Sequence, residues 1–202
     1  MTTSNLQTNR QVEADDYQIQ VEKFEEEKIW KDFKMGEESA FIAIYRQYFQ
    51  TLINYGNQFF ENKSEAEDFV QDVFIDLRLK RKKLKTLRGS IKVFLMVCLK
   101  NKILDFKRKE DTRDKNLTSY AKNFEFVFPH EDQLIRTQEY EWNVKKLKMA
   151  LKTLTSRQRE AIYYLYYENL SYQEIKTLMR FDNVKSVRNL VYKACQSMKV
   201  KI

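Results

Sequence analysis

The scarcity of glycine and proline is the feature that most limits how this chain can fold. Three glycines and one proline occur in 202 residues, whereas the tight turns that connect β-strands depend on both residue types. Leucine, lysine, glutamate, glutamine, arginine and methionine are plentiful, and these residues favour helices. The sequence therefore predicts an all-α fold.

Charge is distributed unevenly along the chain. The net charge of the whole chain is +8, yet residues 1–28 carry a net charge of −4. Residues 78–109 carry a net charge of +12, because they contain thirteen basic side chains and a single acidic one, Asp105. Residues 110–140 return to a net −3, and residues 183–202 contain five basic side chains and no acidic one. Two basic segments separated by an acidic one indicate two nucleic-acid contacts joined by a linker.

The sequence gives little support to an enzyme or a membrane protein. His130 is the single histidine, and Cys98 and Cys195 lack the spacing of a metal site. The apolar run Val93–Leu99 is too short to cross a bilayer, and the first twenty residues lack the apolar centre of a signal peptide. We expect a cytoplasmic binding protein with reduced cysteines, without metal, cofactor or membrane insertion.

Helical periodicity divides the chain into two small helical domains joined by a flexible linker. We predict an acidic flexible leader at 1–28, a first domain at 29–109, a linker at 110–139 and a second domain at 140–202. Within the first domain, Gly36 is expected to separate a short helix from a long one.

Three segments have the capping-box pattern that opens a helix. They are Ser64–Glu67, Thr155–Gln158 and Ser171–Glu174. Between the first two, the helix that starts the second domain is expected to bury an apolar stripe that includes Trp142 and Leu151.

The strongest local signal is a predicted helix-turn-helix near the carboxyl terminus. A short helix capped by Ser171 is followed by a turn at 180–183, and Asp182 or Asn183 can cap a second helix that ends near Met198. One face of that helix is apolar, and the other is polar and basic, which suits the major groove of DNA. The alternative is a solvated helix in a small bundle. The candidate DNA-binding residues are Lys185, Ser186, Arg188, Asn189, Tyr192 and Lys193.

Residues around this motif resemble a known family. Leu154–Ile162, Tyr167–Ile175 and Val184–Ala194 are similar to region 4 of bacterial RNA polymerase sigma factors. In that family the helix-turn-helix reads the −35 promoter element. The same order of elements occurs in other transcription regulators, so this half alone is moderately specific.

The first half of the chain resembles sigma region 2, and both halves together resemble the small extracytoplasmic-function class. The resemblance implies a two-domain, all-α subunit that directs core polymerase to promoter DNA. Four landmarks carry it: Gly36–Phe41 with Tyr45 and Tyr48, Ala66–Phe74, Phe94-Leu95, and Asn101–Arg108.

The resemblance also assigns roles to charged residues. Asp68, Gln71 and Asp72 become candidates for docking on the coiled coil of the largest polymerase subunit, although a merely solvated acidic face is the alternative. The basic run Arg78–Arg88 would line the path of the DNA strands, with a solvated charge run as the alternative. The residues implied to engage −10 element DNA are Asn101, Asp105, Lys107, Arg108 and Lys109.

The sequence departs from the family pattern at three positions. Phe94 stands where many members have tryptophan, Lys176 replaces a usual alanine, and Arg180 occupies a turn where glycine is common. The side chains of the predicted recognition helix also depart from the common types, so the promoter sequence cannot be carried over from the family, and an anti-sigma partner is left open. A stand-alone helix-turn-helix regulator that binds duplex operators is the rival hypothesis, and a decoy member of the family is a third.

Overall fold

The regular secondary structure in the described part of the chain is helical. The computed structural model describes residues 24–60, 62–84, 87, 89–113, 124–127 and 138–199, where no β-strand occurs. The predicted all-α class is confirmed. Residues 1–23 of the predicted leader and residues 114–123 and 128–137 of the predicted linker lie outside the described residues, whereas residues 24–28 of the leader are helical. The helices are α1 (24–35), α2 (Glu38–Gly56), α3 (Lys63–Lys80), α4 (Ile91–Arg113), α5 (Gln138–Lys152), α6 (Ser156–Ile162), α7 (Tyr172–Leu178) and α8 (Val184–Lys199).

Helices α1 to α4 form the first domain around an apolar core. Gly36 has a φ of +103°, a conformation that favours glycine, and it separates α1 from α2 as the sequence predicts. Gly56 lets α2 approach α3, because a Cβ atom there would lie 3.1 Å from Cβ of Ala66. Trp30 and Phe33 of α1 are both buried in this core.

Helix α1 also stabilises the start of α4. The first free amide of α4, on Ile91, donates to Oε1 of Glu26 over 2.6 Å, and the Tyr48 hydroxyl donates to the same oxygen over 3.1 Å. Oγ of Ser90 accepts from the Val93 amide over 3.3 Å. Unpaired amides at a helix start need such acceptors, so α1 helps to hold the position of α4.

Two of the three predicted capping boxes are present and one is wrong. Thr155 and Ser171 each form a complete reciprocal box with the residue three positions later. Helix α3, however, begins one residue before Ser64, because the side chain of Asn62 accepts from the Ser64 amide at 3.0 Å. An asparagine cap satisfies the same orphan amides, and so Ser64 lies within the first turn.

Helices α5 to α8 form the second domain. Helix α6 continues into a wider π-type turn, Tyr163–Tyr167, in which Tyr163 and Tyr164 are buried. Leu151 of α5 is buried as expected, but Trp142 is not part of the apolar stripe, since 49% of it is exposed. The ammonium of Lys146 lies 4.3 Å from the centre of the Trp142 ring, which explains how the indole is accommodated at the surface.

A buried chain of hydrogen bonds joins the two domains. Nζ of Lys100 in α4 donates to Oε1 of Glu160 in α6 over 2.5 Å, and the Tyr164 hydroxyl donates to the same oxygen over 2.7 Å. The Tyr55 and Tyr164 hydroxyl oxygens are 2.5 Å apart. Because Tyr164 gives its proton to Glu160, Tyr55 is the donor in this last bond. Burial, reinforced by the charge of Glu160, raises the pKa of the Tyr164 phenol well above its usual value and keeps that proton in place.

A second set of polar contacts lies nearer the start of α4. Nζ of Lys92 is 2.6 Å from Oε2 of Glu168, and Oε1 of the same carboxylate accepts from the Tyr163 hydroxyl over 2.7 Å. Oγ of Ser90 donates to Oε1 of Glu174 over 3.0 Å. These contacts repeat one arrangement, in which α4 or the residue before it supplies a cation or hydroxyl and the second domain supplies a carboxylate.

Part of the predicted flexible linker is packed rather than free. Phe124 is 4% exposed and belongs to the apolar core that runs between the two domains. The charge and weak periodicity of residues 110–139 gave no local signal of this packing.

Ion pairs connect α3 to α4 at the surface. Nζ of Lys102 lies 2.8 Å from Oδ2 of Asp76, and Lys80 lies 3.1 Å from the same carboxylate. The hydrogen bond from Lys102 lowers the pKa of Asp76 despite partial burial of the carboxyl. Burial of Lys102 opposes its charge, yet its bonds to Asp76 prevail and raise the pKa of the lysine.

Replacing Tyr164 with phenylalanine should weaken the contact between the domains. The substitution leaves the buried Glu160 carboxylate short of a donor and Tyr55 short of an acceptor, and a bond to a charged group contributes about 1.5–3 kcal/mol. Urea unfolding should reveal a loss of this size. Tyr166→Phe is the control, because that exposed hydroxyl reaches only the Cys195 sulfur, at 3.8 Å, among the contacts of the described residues. Equal stability of both variants would contradict the role of the chain.

The Asp76–Lys102 pair should stabilise the protein in a pH-dependent way. The lowered pKa of Asp76 means that its contribution is present above the pKa of the unfolded state and is lost as pH falls through the folded pKa. Asp76→Asn should cost at most about 1 kcal/mol at neutral pH, because the carboxylate is partly exposed and screened. Urea unfolding of both proteins from pH 7 down to about pH 3 should show the difference shrinking near the ordinary carboxyl pKa of about 3.9. A difference that stays constant would exclude this ion pair as its source.

Candidate nucleic-acid interface

Helices α7 and α8 form a helix-turn-helix whose local geometry follows from its caps. Ser171 caps α7, and Oδ1 of Asn183 accepts from the Ser186 amide over 2.8 Å at the start of α8. Ile175 of α7 and Val187 of α8 are both fully buried, so the two helices share one core. Of the two predicted caps for α8, Asn183 is the one used.

The turn between these helices is strained at an unusual residue. Arg180 has a φ of +52°, in the left-handed region that glycine adopts more readily. The turn therefore keeps this conformation even though arginine stands where glycine is common. Its side chain extends away from the second domain and donates from Nη2 to Oδ1 of Asn101 over 2.6 Å.

The outward face of α8 carries most of the predicted −35 residues. Five are exposed: Lys185, Arg188, Asn189, Tyr192 and Lys193. Ser186 is half-buried, and its hydroxyl bonds Oδ1 of Asn183 over 3.0 Å within the cap. The exposed group combines cations for phosphate with an amide and a guanidinium for base edges.

An aromatic ring of α7 positions one of these cations. The guanidinium carbon of Arg188 lies 5.4 Å from the centre of the Tyr172 ring. Stacking on an aromatic face restricts the guanidinium without using its hydrogen-bond donors. Arg188 is therefore oriented at the surface with its donors still available.

Helix α4 places the predicted −10 residues in different environments. Lys107 is 8% exposed, and its ammonium donates to the Phe59 carbonyl over 2.7 Å. Nη1 of Arg108 lies 3.1 Å from Oδ1 of Asp105 in an exposed pair, and Lys109 is exposed. Of these three cations, Arg108 and Lys109 present an accessible positive charge, whereas Lys107 stabilises the turn that follows α2.

The basic run after α3 lies at the surface. A short 3-10 turn, Arg81–Lys83, follows α3, and Lys82 and Lys83 are exposed. Arg78 is paired with Glu38 at 3.0 Å. These cations lie on the same domain as α4, which is consistent with a path for a nucleic-acid backbone.

The outer face of α3 is acidic and apolar. Asp68, Gln71 and Asp72 are exposed, and an oxygen of Asp72 lies 3.6 Å from Nζ of Lys102. Ile75 and Leu79, which the sequence analysis did not single out, are 55% and 76% exposed.

Spacing could have identified these two residues. Asp68, Asp72, Ile75 and Leu79 follow one another at four-, three- and four-residue intervals. They therefore line one side of the helix, opposite the buried stripe. We call these four residues the α3 strip. Exposed apolar side chains beside charges are typical of protein–protein interfaces.

Two kinds of site are absent from the described residues. No group of three or more His, Cys, Asp or Glu side chains there could hold a metal ion. None of the helices in the described ranges is long and apolar enough to cross a membrane.

Solved structures are similar to this chain in fold. CnrH in complex with the cytosolic domain of CnrY aligns with a TM-score of 0.58 and 16% identity, covering 87% of this chain and 95% of CnrH. The sigma factor RpoE in complex with the anti-sigma factor NepR from Bartonella quintana aligns with a TM-score of 0.54 and 19% identity, covering 77% and 91%. A search of curated proteins found no significant match.

A family model identifies the first domain. Residues 44–113, which span most of α2 and all of α3 and α4, match Sigma-70 region 2. This range contains the α3 strip and every candidate residue on α4. The first domain therefore carries a Sigma-70 region 2 match, and the predicted resemblance of the chain to sigma factors of the extracytoplasmic-function class is confirmed.

Proposed function

We propose that this protein is a dissociable, non-catalytic subunit of cytoplasmic RNA polymerase that directs transcription initiation by recognising −10 and −35 promoter elements. The observation that carries the proposal is the presence on one chain of two separate basic surfaces and one acidic, partly apolar strip. Helix α8 exposes the first basic surface, and α4 with the run after α3 exposes the second. A DNA-binding regulator that acts alone needs no acidic, partly apolar strip for a protein partner.

The α3 strip is suited to a partner protein with basic and apolar groups. The coiled coil of the largest polymerase subunit is the proposed partner, through Asp68, Gln71 and Asp72 together with Ile75 and Leu79. Apolar side chains at the centre of such a contact contribute affinity, and charges contribute orientation and encounter rate.

Helix α8 is proposed to enter the major groove of the −35 element. Asn189 and Arg188 have the donors and acceptors that distinguish base pairs, whereas Lys185 and Lys193 suit phosphate. The end of α4 and the basic run after α3 are proposed to hold the −10 strands, since a positively charged groove can follow a single-stranded backbone. An anti-sigma partner is left open.

Run-off transcription with purified core polymerase on genomic promoter fragments tests the proposal as a whole. Promoter-dependent transcripts should appear when the protein is added to core enzyme. Tight, sequence-specific binding of the free chain to unmelted DNA, without transcription, would favour a stand-alone regulator. Competition with another sigma factor, without transcripts of its own, would favour a decoy.

Changing the α3 strip should abolish polymerase capture without unfolding the protein. The variant combines Asp68→Lys with Leu79→Ser, and both side chains are exposed, so its stability should change by about 0.5 kcal/mol or less per site. Asp72 is left in place because a lysine there would face Lys102. Capture should be lost in a pull-down of core polymerase, because a like charge across an interface costs several kcal/mol.

The matched control makes the same two changes on another helix. Glu27→Lys with Phe24→Ser alters one exposed charge and one exposed apolar residue of α1. This control should capture polymerase normally. Undiminished capture by the α3 variant would refute the docking assignment.

Two substitutions on α8 should separate base reading from phosphate binding. Asn189→Ala should cost about 1–3 kcal/mol at one base position, as expected for loss of a bidentate contact. Lys193→Ala should weaken binding almost uniformly and reduce the salt dependence by about one counterion. Holoenzyme binding should be measured on single-base variants of a duplex selected from a random pool.

The control for this experiment is Ser197→Ala. Ser197 is exposed on the same helix, and its hydroxyl bonds the Lys193 carbonyl, so its removal should leave the base preferences unchanged. If Asn189→Ala and Lys193→Ala had the same profile as this control, α8 would not be the reading helix.

A further inference from the structure

Residues 124–127 lie in the crevice between the two domains and are bound there through Gln58. The amide of Glu125 donates to the Gln58 carbonyl over 2.9 Å. The Gln58 side chain pairs with the Val127 backbone in both directions, accepting from its amide over 2.7 Å and donating to its carbonyl over 3.0 Å. A 2%-exposed glutamine thus holds a short extended segment much as a neighbouring β-strand would.

Two aromatic rings of this segment contact both domains. Phe124 lies edge-on to Phe59 of the first domain and to Tyr163 of the second, with ring centres 5.3 and 5.6 Å apart. Phe126 contacts Tyr163 at 5.4 Å and Tyr167 at 6.1 Å. The side chains of Glu125 and Val127, which alternate with these two rings along the segment, are exposed.

The second domain also holds the segment through its backbone. Nε of Arg159 in α6 donates to the Phe124 carbonyl over 3.1 Å. Four residues therefore bridge Gln58 on one side and α6 on the other. Such a bridge contributes to closure without belonging to either helical domain.

The closed arrangement conflicts with simultaneous contact to two promoter elements. Arg180, in the turn before the proposed −35 helix, touches Asn101 of the proposed −10 helix at 2.6 Å. The two elements lie roughly 25 base pairs apart by their names, or about 85 Å at about 3.4 Å per base pair. This step rests on the function proposed above. If the protein contacts the −10 and −35 elements at once, the closed chain must open before it can hold both of them.

We propose that residues 124–127 are an intramolecular clasp that keeps the two domains closed. In the closed state Arg180 is bound to Asn101, and the clasp is withdrawn when the protein engages polymerase and promoter. The ion pairs of the interface, Lys92–Glu168 and Lys100–Glu160, regain water on opening, which offsets part of the cost of separating them. The aromatic anchors have no such compensation, and their burial adds to the ring contacts that Tyr55 makes with Tyr163 and Tyr164 across the interface.

Small-angle X-ray scattering of the full chain tests the clasp directly. Phe124→Ala with Phe126→Ala should increase the radius of gyration, while circular dichroism shows unchanged helix content. The matched control truncates the alternate side chains, Glu125→Ala with Val127→Ala, and should stay compact because the backbone bonds to Gln58 remain. Equal radii for the two double variants would overturn the clasp.

Two further measurements guard against a folding defect. Gln58→Ala removes the other half of the clasp and should open the chain as well. Addition of the peptide acetyl-Phe-Glu-Phe-Val-amide to the Phe124/Phe126 variant should restore compaction, whereas acetyl-Ala-Glu-Ala-Val-amide should not. Failure of both Gln58→Ala and the peptide would overturn the proposal even if the first variant opened.

The inhibitory role is tested with single-stranded −10 DNA and with core polymerase. If the open state is a minor population of about 10% or less, releasing the clasp should tighten apparent binding of single-stranded DNA about tenfold or more. An opened variant with unchanged DNA affinity would overturn the inhibitory role. A chain that opens as expected but never captures polymerase in any form supports the clasp and overturns the function proposed above.

Discussion

The buried hydrogen bonds from Lys100 through Glu160 and Tyr164 to Tyr55 are the constraint on which the closed arrangement depends. Lys100 and Glu160 are largely removed from water, with side chains 13% and 12% exposed, and a buried charge is tolerated only when it is paired and hydrogen-bonded. These residues come from α2, from α4, and from α6 with the turn that follows it, so one set of bonds determines how the two domains meet. The apolar contacts around it add stability but leave the register less specific.

Helix α4 has three roles at once. Its apolar side fills the first domain, Lys92 and Lys100 pair with the second domain, and its exposed end is the candidate site for −10 DNA. Residues that look equivalent in the sequence are therefore unequal in the structure. Lys107 is buried against the Phe59 carbonyl, while Arg108 and Lys109 remain at the surface. A helix shared in this way couples DNA access to the separation of the domains.

The segregation of charge has a physical logic. Basic side chains collect on α8 and around α4, where a polyanion is the proposed ligand, and α3 carries an acidic and apolar strip for a protein partner. Within the folded chain some of the same charges pair internally, as in Asp72 with Lys102 and Arg108 with Asp105. Partner binding then competes with internal pairing, and this competition is the usual basis of a conformational switch.

The sequence by itself determined the all-α class, the break at Gly36, the caps at Thr155 and Ser171, and the exposed face of α8. The class follows from composition and the break from glycine itself, whereas the caps and the α8 face depend on residues three or four positions apart, so their signal is complete within one helical turn. The predictions of a cap at Ser64 and of a buried Trp142 were wrong. Asn62 was available as a cap two residues earlier, and the ammonium of Lys146 was available to the Trp142 ring at the surface. Tertiary structure alone decided that Tyr55 meets Tyr164, that Lys107 is buried and that Phe124 fills the crevice between the domains. Those contacts join residues 39 to 109 positions apart, and no local periodicity records which distant surface a side chain will meet.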